Sequence, residues 1–218
     1  MRKLLGFLAL ATCAAAPAAA TVTYDFAGVL DSSFGAYSAG DTFTGSFTYD
    51  ETVAANAGSS SVTAVFNALA ALNVTVNTTS GPSALTAYDG ELQMGNQGTN
   101  GVDTETTDRF AVVSLVTGST IASTTPQAFI LRLDDSTGNI FSSALTLPTA
   151  LNLADFDVNL DFLFASLPDS DPDAATGHLT SLTAAAVPEP ASWGLMLVGF
   201  GLAGGAIRST RHSAIVTA

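Results

Sequence analysis

The chain has 218 residues, enough for one ordinary domain plus terminal segments. Six basic residues face nineteen acidic ones, and between residues 21 and 187 only Arg109 and Arg132 offset eighteen acids, a formal charge of −16. A surface this acidic repels phosphate backbones and argues against a nucleic-acid partner. The single cysteine, Cys13, lies in the N-terminal apolar stretch, so the remainder must fold without a disulfide or a Cys-ligated metal.

Residues 1–20 have the layout of a secretory signal peptide. Arg2 and Lys3 supply the positive start, Leu4 to Ala16 the apolar stretch, and Ala18-Ala19-Ala20 a small-residue cleavage site. The expected cut follows Ala20, with Ala18 and Ala20 as the small residues leading up to it. A lipoprotein signal ending in Leu10-Ala11-Thr12 before Cys13 is the weaker alternative, because such signals prefer Gly, Ala or Ser immediately before the cysteine.

From Thr21 the pattern is that of strands. Val22-Tyr24-Phe26 alternate with polar neighbours, and in Thr42–Asp50 the set Phe43, Gly45, Phe47, Tyr49 alternates with Thr42, Thr44, Ser46, Thr48. The stretch Ala64–Leu72 is ambiguous between one or two helical turns and a buried strand leading into Asn73–Asn77. Phe110-Val112, Phe129-Leu131-Leu133 and Val158-Leu160-Phe162-Phe164 repeat the alternation, and His178–Ala185 reads as the last strand. Leu153-Ala154-Asp155-Phe156 suits a single helical turn. Turn chemistry punctuates these runs at Ser38–Asp41, Ser80-Gly81-Pro82, Gly95 to Gly101 and Asp134–Asn139. About nine short strands predict an all-β fold, an antiparallel β-sandwich or jelly-roll-like domain over residues 21–186.

The C-terminal segment, 187–218, is of another kind. Val187-Pro188-Glu189-Pro190 imposes an extended linker, since proline donates no ladder hydrogen bond. The uncharged run 191–207 would span about 26 Å as a helix, the short end of what a bilayer core requires. Trp193 stands where an interfacial aromatic belongs, and Arg208 and Arg211 follow on the other side. The expectation is a C-terminal transmembrane helix with its basic end in the cytoplasm and the acidic domain outside, the same topology the signal peptide demands.

The run from Val187 through Gly205 resembles the PEP-CTERM sorting signal, in which a Pro-Glu-Pro motif is followed by a Gly-rich membrane helix and a basic cluster. The leader and the stretch Gly40–Asp50 are also similar to those of exported members. Here the arginines are interrupted and followed by Ser213 to Ala218. The resemblance implies that Pro188, Glu189 and Pro190 are recognised by an exosortase, a membrane protease or transpeptidase-like enzyme, with Trp193, Arg208 and Arg211 completing the motif. It implies transient inner-membrane anchoring, then sorting to the cell surface or an extracellular matrix of polysaccharide.

Catalytic constellations are sparse. The β domain holds one histidine, His178, and no Gly-x-Ser-x-Gly elbow, which leaves a nucleophile without its base. Three-ligand zinc chemistry needs more His or Cys than the domain has. A glycoside hydrolase needs two placed carboxylates; Glu51, Glu91 and Glu105 are expected at loops or strand ends, and Asp157 and Asp161 are expected to face solvent from one strand. No cofactor is expected. Asp169, Asp171 and Asp173 have the early spacing of a calcium loop, but Ala174 and Thr180 occupy the positions of its turn Gly and closing Glu, so only a weak calcium site is in question. Carbohydrate binding would fall to Tyr24, Tyr37, Tyr49 or Tyr88, of which Tyr24 and Tyr49 are expected in the core. The domain is therefore expected to be non-catalytic, with a carbohydrate-binding module as the alternative and a surface glycoside hydrolase behind it.

Overall fold

Threonine and aromatic side chains alternating over nine residues favour a pleated strand with one wet and one buried face, and β2 (Thr42–Asp50) takes that form: Phe43, Phe47 and Tyr49 are fully buried. In the computed structural model, which describes residues 21–98, 107–118, 126–157, 174–185 and 199–200, seven further strands accompany it. These are β1 (Thr21–Leu30), β3 (Thr63–Phe66), β4 (Leu69–Thr78), β5 (Gly81–Gly98), β6 (Thr107–Gly118), β7 (Ala128–Asp135) and β8 (Gly177–Ala184). All described pairings are antiparallel, in the order β7-β6-β5-β4-β2-β1-β8, with β3 joined to β5. The all-β antiparallel expectation is met. The strand anticipated at Val158–Phe164 lies outside the described residues, as do the expected signal segment and all but two residues of the expected tail helix.

Backbone contacts divide the chain into two units, Met1–Ala184 and Ala185–Ala218. In the first, the sheet curls so that its two halves face each other. Phe26 of β1 meets Phe129 of β7 with ring centroids 6.1 Å apart, and Phe47 and Tyr49 of β2 meet Phe110 of β6 at 6.1 and 5.9 Å. Such aromatic pairs add about 0.5–1.5 kcal/mol each beyond the area they bury. The β1–β2 ladder carries an alternation of large and absent side chains. Phe26 lies opposite Gly45, and Phe43 lies opposite Gly28. Each ring occupies the space over its partner glycine, so both phenylalanines fit on one inner face.

β5 is the element that turns the sheet. Its first part pairs with β4 (Asn73↔Thr86 to Thr78↔Gly81) and its last part with β3 (Phe66↔Leu92 to Thr63↔Gly95), while β6 runs along its other side. The turn expected at Gly95 is therefore displaced. Ladder bonds to β6 carry the strand on to Gly98 through a register shift, a place where glycine is tolerated because regular pairing is interrupted there. Likewise the turn expected from Asp134 begins later, because Asp134 and Asp135 end β7 as buried residues. The ambiguous stretch Ala64–Leu72 resolves into β3 and the start of β4, with Ala64, Phe66 and Leu72 buried.

The segment after β7 closes one end of the core. Ala144, Leu147, Leu151 and Phe156 are buried, and the single helical turn forms at Leu153–Asp155 as a 3-10 turn capped by Asn152, whose side chain accepts from the Ala154 N–H. Two core tyrosines hold this segment: Tyr49 donates its hydroxyl to the Pro148 carbonyl at 2.6 Å, and the Tyr24 hydroxyl accepts from the Leu151 N–H at 2.7 Å. Buried phenols need such partners, since an unsatisfied hydroxyl would cost about 1–3 kcal/mol.

Candidate functional site

Positions 18, 20, 169, 171, 173, 188, 189, 190, 193, 208 and 211, the expected cleavage, calcium and sorting residues, all lie outside the described residues. Of the tail, Gly199 and Phe200 are described; both are helical, and Phe200 is exposed. Among the described residues no helix is long and apolar enough to cross a membrane.

Among the described residues of the β domain, three groups of charged side chains bear on chemistry. The first is built on the domain's two arginines. Arg109 of β6 pairs across the ladder with Asp134 of β7, and Arg132 lies two residues from Asp134, on the same face. Arg109 Nε donates to Asp134 Oδ1 at 2.7 Å and Arg109 Nη2 to Oδ2 at 2.9 Å, a two-pronged contact, while Arg132 Nε stands 3.3 Å from Oδ2. The Arg109 and Asp134 side chains are mostly withdrawn from water. This is a planar fork on a carboxylate. It consumes the domain's positive charge internally.

The second gathers three carboxylates around the loop 136–141. Asp135 accepts from the Thr137 N–H and hydroxyl and from the Asn139 N–H, Asp108 accepts from the Phe141 N–H at 2.6 Å, and Asp157 accepts from the Ser136 N–H and hydroxyl. Gly138 turns the chain with a φ of 64°, a conformation costly for other residues. Burial alone raises the Asp135 carboxyl, but the donors of Asn139, Thr137 and Gly138 outweigh it and hold it below the ordinary value; the Ser136 hydroxyl and N–H do the same for Asp157. Asp157 is thus a loop clasp at a bend rather than a residue of a strand. Among the described residues no group of three or more His, Cys, Asp or Glu is disposed to hold a metal ion.

These depressed pKa values give a signed expectation. A carboxylate lowered in the folded state adds stability that is complete above its unfolded value of about 3.9 and disappears as pH falls through the lower folded value. Unfolding free energy is therefore expected to be level from pH 7 to about 5 and to fall steeply below about 4. Asp135→Asn should be less stable at pH 7 and show a shallower acid slope, as read by urea melts across pH. An acid slope identical to the wild type would remove Asp135 from this role.

The third pairs His178 at the start of β8 with Asp31, His178 Nδ1 lying 2.9 Å from both carboxylate oxygens. Both side chains are roughly half exposed. Ser32 is adjacent in sequence, but its Oγ accepts from the Thr176 N–H and contacts the Thr176 hydroxyl, each at 2.8 Å. Of the glutamates considered for hydrolysis, Glu51 follows β2 in a turn, and Glu105 lies outside the described residues. Glu91 sits inside β5 rather than at a strand end and accepts from Gln93 Nε2 at 2.8 Å, because β5 is longer than its composition suggests.

Tyr24, Tyr37 and Tyr49 are all buried. Burial raises their phenols above the ordinary value, so they act as neutral hydrogen-bonding groups. Tyr88, by contrast, is 64% exposed. Sequence reasoning named it without placing it; its position depends on the β5–β6 register.

Comparison with known proteins adds the address. Residues 186–211 match the family model described as the PEP-CTERM protein-sorting motif. The chain is thus a PEP-CTERM motif-bearing protein, as the residues Pro188-Glu189-Pro190, the apolar run and the arginines imply. The motif implies export and membrane-anchored sorting at the C-terminus. No curated protein and no solved structure matches the chain.

Proposed function

We propose that this is a non-catalytic surface or extracellular-matrix protein, delivered by an exosortase-type enzyme that reads its C-terminal tail. The match over residues 186–211 carries this reading. An acidic, disulfide-free β domain is the cargo, with the curled sheet forming one sandwich-like core that needs no thiol chemistry to fold outside the cell. In this route the leader is cut after Ala20, the run 191–207 lodges in the inner membrane, and Arg208 and Arg211 stay on the cytoplasmic side. Processing at the Pro188-Glu189-Pro190 linker then frees the domain.

Fractionation with intact-mass measurement tests it. The wild-type mature chain is expected at the surface or in the medium, with the leader absent and the tail shortened. Replacing Pro188, Glu189 and Pro190 by alanine should leave a full-length tail in the inner membrane. Wild-type protein residing there uncut would defeat the sorting route.

A second reading makes the domain a carbohydrate-binding module of the matrix. It is favoured by one observation, the outward display of Tyr88.

A further inference from the structure

The ladder between β5 and β6 slips at one point. Ala87 faces Val116, and Asp89 faces Leu115, the residue immediately before it in β6, so Tyr88 is surplus to the pairing. A bulge of this kind takes one residue out of register and re-aims its side chain. The tyrosines that are not at this bulge, Tyr24, Tyr37 and Tyr49, are each no more than 1% exposed, and each hydroxyl has a hydrogen-bond partner. Beside the Tyr88 ring lies a hollow of about 400 Å³, walled by Leu115, Thr117, Gly118 and Pro126. Gly118 sits tightly there: a Cβ at that position would stand 2.7 Å from Leu85 Cδ2 and 3.0 Å from Pro126 Cγ.

We infer that Tyr88 and this hollow form a binding site for a neutral saccharide, one sugar ring laying its C–H face on the phenol. The hollow is of the size of a small ligand pocket. Its lining carries sugar-compatible hydrogen-bonding side chains, the exposed Thr117 and the partly exposed Gln127. A protein partner is the poorer fit. Standard interfaces bury about 800 Å² per partner around clustered aromatic or arginine anchors, whereas the other large exposed apolar side chains in the described β domain, Val62 and Leu145, belong to other segments, and its arginines are mostly withdrawn from solvent. Anionic glycans and nucleic acids are opposed by the excess of acids in the β domain.

The inference rests on the carbohydrate-binding reading and is independent of the sorting route, because its test uses purified protein. Full-length chain in detergent is run through native gels holding hydroxyethylcellulose, galactomannan, dextran or alginate. Retardation is expected in at least one neutral gel and not in alginate. Tyr88→Ala should lower the affinity about tenfold or more, while Tyr88→Phe and Tyr88→Trp keep it, and all three should melt at the wild-type temperature because the ring is exposed. Three results would each overturn the site: no retardation in any neutral gel, retardation undiminished by Tyr88→Ala, or Tyr88-dependent self-association in sedimentation without glycan binding. Failure of tail processing in the fractionation experiment would leave these gels unaffected.

Discussion

Gly45→Val is expected to destabilise the domain by about 3 kcal/mol or more, the upper range for overpacking a filled core. Position 45 points inward on β2 between Phe43 and Phe47, and Phe26 from β1 already occupies the space above it. A Cβ there would stand 2.5 Å from Phe26 Cζ and 2.9 Å from Cε2, and closer still to the Asn73 backbone oxygen. The ring is hemmed in by Phe43, Phe47 and Phe129, and the oxygen belongs to the β2–β4 ladder, so neither yields without loss elsewhere. For a domain of this size a loss of 3 kcal/mol lowers the melting temperature by roughly 6–12 °C. The cause is checked by a double-mutant cycle: Gly45→Ala and Phe26→Leu should each destabilise alone and be less than additive together, since the smaller leucine side chain makes room for the methyl. Strict additivity would mean that Phe26 is not what excludes a side chain at 45.

That glycine shows what a single sequence reveals of this fold. The alternation Phe43-Gly45-Phe47-Tyr49 places Gly45 on the inner face correctly, and Tyr24 and Tyr49 are in the core as their spacing implies. Period-two patterning is legible wherever one face is wet and the other buried. β5 is illegible for the complementary reason. It holds Gly81, Pro82, Gly90, Gly95 and Gly98, a turn-like composition, and is kept extended by pairing with three other strands, β3, β4 and β6. Ala64–Leu72 has no local signal to decide it; pairing with β5 and β2 does so. The sorting tail is the opposite case, a linear motif whose meaning lies in the order of its residues. Tyr88 could be named as exposed or buried only by knowing where two strands slip, and that register is set by residues more than twenty positions apart. Asp134 reads as a turn residue by composition. The hint against this was the scarcity of cations: two arginines in an acidic domain, each on a strand, call for a buried carboxylate partner.

Asp134→Ala should accordingly cost about 3–5 kcal/mol, because it strips the shared counter-charge from two guanidiniums that the sheet has already drawn out of water. The carboxylate is fixed by β7 opposite Arg109, and both of its oxygens are engaged by the Arg109 fork. Removing it leaves the desolvation of the cations in place and takes away a carboxylate that offset it. Arg109→Lys should also be costly although it keeps the charge, since a point-like ammonium cannot make the two parallel bonds of the fork. Replacing Arg109 and Asp134 together by Met and Leu should cost less than Asp134→Ala, because only Arg132, not both guanidiniums, then loses this carboxylate. Urea melts of the four proteins decide the matter. If Asp134→Ala lay within 1 kcal/mol of the wild type, or if the double replacement were worse than either single change, the pair would not be the energetic centre of this face. The sheet would then owe its outer stability to the β6–β7 ladder alone.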